Sequence, residues 1–218
     1  MDYTQFLKYF IGLMAIINPI GLLPIFSSLT ESNTKAERFR VNATANFAVA
    51  IILIVSMLFG KMILNWFSIS INSFQIAGGI MIATIALVMI HGKLEEGRHN
   101  ADERKEASAK DSIAVVPLAM PLMAGPGAIS STIVFSSQVG VDVIGYGGTL
   151  LVIVAFSLVS FLIFSLSQFM IKVMGKTGIN IVTRIMGIIM LSIAIEMIAT
   201  GIKGLFHMES FLKFINAQ

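Results

Sequence analysis

The stretch INPIGLLP, residues 17–24, decides the fold, because it places two prolines inside an apolar run long enough to cross a membrane. A second stretch, MPLMAGPGA at residues 120–128, does the same about half a chain further on. A proline inside a helix removes one backbone N–H and clashes with the carbonyl four residues earlier. All five prolines lie in the two apolar runs that hold these stretches. Both runs are therefore predicted to be membrane helices that break partway across the bilayer; the alternative is that the prolines only kink them.

Composition indicates that the whole chain is a membrane protein. Of its 218 residues, 56% are hydrophobic and 12% are charged, whereas about 25% are charged in ordinary soluble domains. The mean hydropathy is +0.87, and lipid-facing side chains can remain this apolar. The chain has no cysteine, and we expect no metal and no cofactor. The net charge of +3 is typical of Lys and Arg that set membrane topology, so we expect no nucleic-acid partner.

Six apolar runs reach the length of about 20 residues that a membrane helix needs. They leave no room for a soluble domain, so residues 1–218 are predicted to form a single membrane domain. The longest polar break, residues 92–111, holds 11 of the 27 charged residues and is predicted to be a cytoplasmic linker. The six runs are Phe6–Leu29, Val41–Leu64, Asn72–His91, Ser112–Ser136, Val143–Lys172 and Ile179–Gly201.

The distribution of basic residues predicts the orientation. With six spans, 11 of the 15 Lys and Arg residues fall in the loops of one side. Loops rich in Lys and Arg stay in the cytoplasm. We therefore expect a multi-pass protein of the bacterial inner membrane with both termini outside.

Internal similarity predicts two repeats. Pro19 and Pro126 stand 107 residues apart, and Asn72–Met89 aligns with Asn180–Met197 at an offset of 108. Three spans per repeat is an odd number, so the two halves must have opposite orientations. The predicted fold is an all-α membrane protein of six transmembrane helices, arranged as two inverted repeats of three at about 1–91 and 112–218. Inverted repeats with broken helices at corresponding positions are typical of secondary transporters, whose substrate lies near the midplane at the breaks.

The breaks carry the chemistry for binding a zwitterion. Each break offers N–H donors at a helix N-terminus and free carbonyls at a helix C-terminus. Pro19 and Pro24 are expected to free the carbonyls of Ala15 and Ile20. N–H donors bind a carboxylate and carbonyl oxygens bind an ammonium group. The backbone at the breaks could therefore bind a small amino acid without any charged side chain of the protein. The residues predicted to bind substrate are Asn18, Pro19, Gly21, Pro24, Pro121, Gly125, Pro126, Gly127, Ser130 and Ser131.

At these residues the chain resembles the MarC family of integral membrane proteins. The segments that carry the resemblance are 17–26 and 116–129, with further agreement at 77–80 and 183–187, so it extends over essentially the whole chain. The proline segments are specific. The resemblance implies similarity to transporters of small neutral amino acids that move alanine or glycine.

Other polar residues within the spans have two interpretations each. Glu196 is either a carrier of a coupling proton or a structural acid, which is protonated and bonded to a neighbouring helix or lies near the outer interface. Arg184 either reaches the lipid headgroups or closes an inner gate. Asn42, Asn46 and Gln75 either line the substrate cavity or join helices by hydrogen bonds.

The predicted function is secondary transport of a small neutral amino acid by alternating access. The expected partners are a zwitterionic substrate, a coupling ion for which the proton is the candidate, and the lipid bilayer. A homo-oligomer is compatible with the sequence. No catalytic cluster accompanies Glu196 in the spans, so we do not expect an enzyme. The alternatives are a channel or a drug or metabolite exporter of the same architecture, or a regulatory membrane protein that transports nothing.

Overall fold

The computed structural model describes residues 3–91, 114–139 and 143–206, and within these ranges every regular element is a helix. The predicted linker at 92–111 lies outside the described residues. The elements are α1 (Tyr3–Ile17), α2 (Leu23–Leu29), α3 (Lys35–Trp66), α4 (Ile71–Ile90), a π-helix (Ala114–Met123), α5 (Pro126–Val139), α6 (Val143–Ser165) and α7 (Ser167–Phe206).

Four of these helices are long and apolar enough to cross a membrane. They are α3, α4, most of α6 and the part of α7 after Gly175, where the backbone leaves the helical region with φ 62° and ψ 177°. Large apolar side chains on these helices point outward, including Phe47 and Leu151, each 69% exposed, and Ile188 at 57%. Lipid tolerates such side chains, whereas water would not. The chain is therefore an all-helical, multi-pass membrane protein.

The two remaining apolar runs are broken where the prolines predicted. The first divides into α1 and α2, with residues 18–22 between them, and the second divides into the π-helix and α5, which begins at Pro126. Proline suits the first position of a helix because its missing N–H has no intrahelical partner there. Both predicted interruptions are confirmed.

Side chains in the loops determine where two of the spans begin. The Thr34 hydroxyl accepts a hydrogen bond from the Glu37 backbone N–H (3.3 Å), and the Glu37 carboxylate accepts one from the Thr34 backbone N–H (2.8 Å). This reciprocal pair caps α3. At the start of α4, the Ser70 hydroxyl accepts from the Ser73 backbone N–H (3.0 Å). Both helices thus begin at the polar residues that precede their apolar runs.

Helices α4 and α7 form the most extensive helix pair of the described residues. They run antiparallel, because Gly201 lies against Asn72 near the start of α4 while Gly187 lies against Met89 near its end. Glycines make this close approach possible, as expected for small residues between membrane helices.

Two of the contacts in this pair match each other. A Cβ on Gly79 would lie 2.9 Å from the Ala194 carbonyl oxygen, and a Cβ on Gly187 would lie 3.2 Å from the Ala86 carbonyl oxygen. Gly79 and Gly187 are 108 positions apart, and so are Ala86 and Ala194. The two contacts are therefore reciprocal, because a glycine of each helix faces the carbonyl oxygen of an alanine of the other helix.

Candidate functional site

The first break is built around Asn18. Its backbone has φ 47°, a left-handed conformation that asparagine adopts more readily than most residues. Its side-chain Oδ1 accepts a hydrogen bond from the Gly21 backbone N–H at 3.2 Å, so the side chain caps the turn that it begins. Asn18 is 5% exposed. The rest of its amide, the Nδ2 group, has no hydrogen-bond partner within the described residues.

The end of α1 leaves backbone acceptors unpaired. Pro19 has no N–H to give to the Ala15 carbonyl, and no N–H of the described residues donates to the carbonyls of Ala15, Ile16 or Ile17. All three residues are buried. The sequence predicted a free carbonyl at Ala15, and the structure agrees.

The prediction for Pro24 is wrong. The Ile20 carbonyl, which Pro24 was expected to free, accepts a hydrogen bond from the Leu23 backbone N–H at 3.2 Å. A tight turn between residues 20 and 23 supplies a donor one position before the proline. Pro24 instead occupies the first turn of α2, where proline is well tolerated.

The second break leaves backbone donors unpaired. The π-helix closes with a hydrogen bond from the Ala124 N–H to the Ala119 carbonyl (2.8 Å), and the first bond of α5 runs from the Ile129 N–H to the Gly125 carbonyl (3.1 Å). Between them, the N–H groups of Gly127 and Ala128 find no backbone acceptor within the described residues. Such orphan donors at the start of a helix attract negative charge.

The two breaks lie side by side. A Cβ on Gly127, at the start of α5, would be 3.6 Å from Cγ2 of Ile16, at the end of α1. The orphan carbonyls of α1 and the orphan N–H groups of α5 therefore belong to one region. The Ile82 side chain of α4 fills the space at Gly127, since that same Cβ would be 2.8 Å from Ile82 Cγ1. The region is closed by Ile82 in this conformation.

Two buried hydroxyls border the breaks. The Ser130 Oγ lies 2.7 Å from the position of a Cβ on Gly78, and the Thr183 Oγ1 lies 3.1 Å from the position of a Cβ on Gly21. Ser130 is 5% and Thr183 6% exposed, and neither hydroxyl has a hydrogen bond within the described residues. The sequence prediction included Ser130 but missed Thr183. The offset of 108 residues that aligns the two predicted repeats pairs Thr183 with Gln75. Because Gln75 is a predicted cavity residue, this pairing is the sequence signal that could have pointed to Thr183.

A hydrogen bond and a ring contact hold α1 against α5. The Tyr9 hydroxyl donates to the Thr132 Oγ1 at 2.8 Å, and the Thr132 hydroxyl donates to the Ala128 carbonyl at 2.8 Å. The Tyr9 ring stacks on Phe135 with centroids 4.2 Å apart. These contacts lie about two helical turns from the breaks and fix how the two broken helices meet. Sequence reasoning did not single out Tyr9.

The other predicted site residues occupy several places. Pro19 is buried at the first break, Pro24 is partly buried in α2 and Ser131 is partly buried in α5. Gly21 and Gly125 are buried at the two breaks. Pro121 lies in the π-helix.

The polar residues predicted to line a cavity or to couple an ion separate into three groups. Asn42 joins α3 to α6, because its Nδ2 donates to the Phe161 carbonyl (2.9 Å), while the Asn46 Nδ2 donates to the Asn42 Oδ1 within α3 (2.8 Å). Gln75 is buried in α4. Arg184 and Glu196 are exposed on α7. In the part of the chain that the structure describes, no group of three His, Cys, Asp or Glu residues is placed to hold a metal.

Comparison with known proteins gives consistent matches over the whole length. A family model described as "MarC family integral membrane protein" matches residues 3–206. The UPF0056 membrane protein YhcE of Escherichia coli is 48% identical over 206 residues, which cover 94% of this chain and 95% of that protein. The UPF0056 membrane protein MJ0972 of Methanocaldococcus jannaschii is 39% identical over 208 residues, covering 95% and 91%. No solved structure matches the chain.

Proposed function

Because the chain belongs to the MarC family of integral membrane proteins, we propose that it is a secondary transporter of small neutral amino acids such as alanine and glycine. The substrate binds between the breaks of the first and fourth apolar runs. The observation that carries this proposal is that α1 ends in orphan carbonyls and α5 begins with orphan N–H groups, while Gly127 at the start of α5 lies beside Ile16 at the end of α1. An amino acid carries the two groups that complete both sets, an ammonium and a carboxylate.

Burial explains why these groups need a partner. An amide or hydroxyl group buried without a hydrogen bond costs about 1–3 kcal/mol in proteins. Asn18, Ser130 and Thr183 are buried residues within or beside the breaks, and the Asn18 Nδ2 group and the two hydroxyls are available to bond a substrate or ordered water. The described residues that form the two breaks carry no charged side chain, which favours a substrate without net charge.

We also propose that the six apolar runs form two inverted repeats and that rocking of one repeat against the other gives alternating access. The reciprocal contacts of Gly79 and Gly187 across the α4–α7 pair support this arrangement. So does the position of both helix breaks at corresponding places in the two halves. Both termini would then lie outside the plasma membrane. A C-terminal alkaline phosphatase fusion should be active and a cytoplasm-only reporter inactive; the opposite result would reverse this orientation.

Uptake into proteoliposomes tests the transport proposal. The purified protein should take up radiolabelled alanine or glycine with saturation, and a proton or sodium gradient should accelerate uptake. Pro19→Ala and Pro126→Ala should each reduce uptake, because each restores a helical N–H at a break. Absence of saturable uptake of any small amino acid would reject the proposal. Full uptake in both proline variants would reject the position of the site.

The Thr183 hydroxyl allows a sharper test of position. Thr183→Val keeps the side-chain shape but removes the hydroxyl, and we expect the half-saturating concentration to rise about five-fold, since a hydrogen bond contributes about 1 kcal/mol. The matched control is Thr84→Val, because Thr84 is exposed on α4 and bonds the Ile80 carbonyl of its own helix. Equal affinities in the two variants would remove Thr183 from the site.

A further inference from the structure

A polar cavity lies between the start of α3 and the junction of α6 with α7. Its volume is about 330 Å³, which is within the range of small-ligand sites. The side chains that matter for its chemistry are Lys35, Arg38, Asn42, Ser165, Ser167 and Gln168. Two of them are cationic, and none of the described residues that line the cavity is acidic.

Arg38 presents an unused donor at this cavity. Its Nη2 donates to the Thr30 carbonyl at 3.0 Å, which holds the guanidinium in place. Its Nε is buried and has no hydrogen-bond partner among the described residues. Arg38 lies in the first turn of α3, whose N-terminus the Glu37 carboxylate caps. The charge that lines the cavity itself is that of Lys35 and Arg38.

A second donor in the cavity wall is also unused. Ser167 is 1% exposed, and its Oγ has no hydrogen-bond partner within the ranges 3–91, 114–139 and 143–206 that the structure describes. Asn42, by contrast, is fully engaged, because its Nδ2 bonds the Phe161 carbonyl and the Ser165 Oγ at 2.9 and 3.0 Å. Buried polar groups in native proteins almost always have a partner, so an unpaired donor beside a cavity indicates a bound ligand or water.

Buried polar atoms without a hydrogen-bond partner also occur outside the cavity wall. The buried side-chain polar atoms that lack a partner among the described residues belong to α3, α6 and the first residue of α7; they are Arg38 Nε, Asn46 Oδ1 and the hydroxyls of Ser157, Ser160 and Ser167. Of these atoms, those of Arg38 and Ser167 belong to residues that line the cavity.

We propose that this cavity is a binding site for a phosphate group, separate from the transport site at the helix breaks. Arg38 Nε and the Ser167 hydroxyl donate to the phosphate oxygens, and Lys35 contributes charge at the rim. Free phosphate and the headgroup of an anionic lipid share this chemistry. Phe39, 62% exposed, lies at the rim beside Lys35, as aromatic and basic residues do at a membrane interface.

Thermal unfolding of the delipidated protein in detergent tests the proposal. Inorganic phosphate is titrated at constant ionic strength against chloride, and in a second arm phosphatidylglycerol is titrated against phosphatidylcholine. Stabilisation by inorganic phosphate but not by phosphatidylglycerol identifies a soluble anion as the source of the bound phosphate group. Stabilisation by phosphatidylglycerol but not by phosphatidylcholine identifies a lipid headgroup. If neither phosphate nor phosphatidylglycerol raises the unfolding temperature beyond its control, the proposal is overturned.

Matched variants locate the site. Arg38→Gln and Ser167→Ala should each weaken binding, Arg38→Gln by about ten-fold or more because it removes a charge-assisted hydrogen bond. Arg40→Gln is the control, since Arg40 is exposed two positions along the same helix and carries the same charge. Ser167→Ala keeps the test valid if Arg38→Gln fails to fold. Equal binding by Ser167→Ala and the wild type, or equal losses in Arg38→Gln and Arg40→Gln, would refute the assignment.

Discussion

The close approach of α4 and α7 predicts that Gly79→Ala destabilises the protein. The added Cβ would lie 2.9 Å from the Ala194 carbonyl oxygen and 2.7 Å from Ile198 Cγ1. The oxygen is backbone, so the two helices must separate to admit the methyl group. Overpacking of this kind costs about 1–3 kcal/mol, while replacing glycine by alanine in a helix regains about 0.8–1 kcal/mol. We therefore expect a net loss of up to about 2 kcal/mol in the free energy of unfolding.

The repeat makes this prediction quantitative through a series of variants. Gly187→Ala should cost less than Gly79→Ala, because its Cβ would lie 3.2 Å from the facing Ala86 carbonyl oxygen and 3.0 Å from Ile90 Cγ1. Gly147→Ala is the control, since nothing lies within 4 Å of its added Cβ, and it should be neutral or slightly stabilising. Thermal unfolding in detergent measures the order of stability of these variants, and Gly79→Ala should unfold up to about 8 °C below the wild type. If Gly79→Ala unfolds no lower than Gly147→Ala, the reasoning is refuted.

Three further changes test contacts at and near the breaks. Tyr9→Phe removes the hydrogen bond to Thr132 and should lower the free energy of unfolding by about 1 kcal/mol. Tyr3→Phe is the control, because Tyr3 is 85% exposed, and it should leave stability unchanged. Equal unfolding temperatures of the two variants would contradict this prediction. Asn18→Gly should unfold at a higher temperature than Asn18→Ala, because φ is 47° at this position and alanine is strained there. The reverse order would contradict the left-handed backbone conformation at Asn18. If Glu196 carries the coupling proton, Glu196→Gln should bind alanine normally but lose acceleration of uptake by a proton gradient, and unchanged acceleration would reject that role.

Local chemistry explains which features could be predicted from the chain. Pro19 and Pro126 break their helices because a missing N–H acts on the residue's own turn, whatever surrounds it. The caps at Thr34 and Ser70 act over three residues. The prediction at Ile20 was wrong for the same local reason, because a turn that the proline rule does not consider supplied the donor.

Long-range contacts explain what could not be predicted. Thr183 reaches Gly21 and Tyr9 reaches Thr132, in each case across more than a hundred residues, and no local pattern marks such partners. Sequence could only propose that Asn42 and Asn46 either line a cavity or join helices. In the structure Asn42 joins α3 to α6 and also borders the cavity beside Arg38, while Asn46 bonds Asn42 within α3.

By itself, the sequence determined that this is a multi-pass helical membrane protein and where two of its apolar runs break, because hydropathy and proline act within single segments. Only the tertiary structure decided that Ile16 at the end of α1 lies beside Gly127 at the start of α5, that the Ile82 side chain packs at Gly127, and that Arg38 and Ser167 share a cavity. Those features depend on how helices approach one another. That approach is set by the summed contacts of many side chains, and no single segment of the chain encodes it.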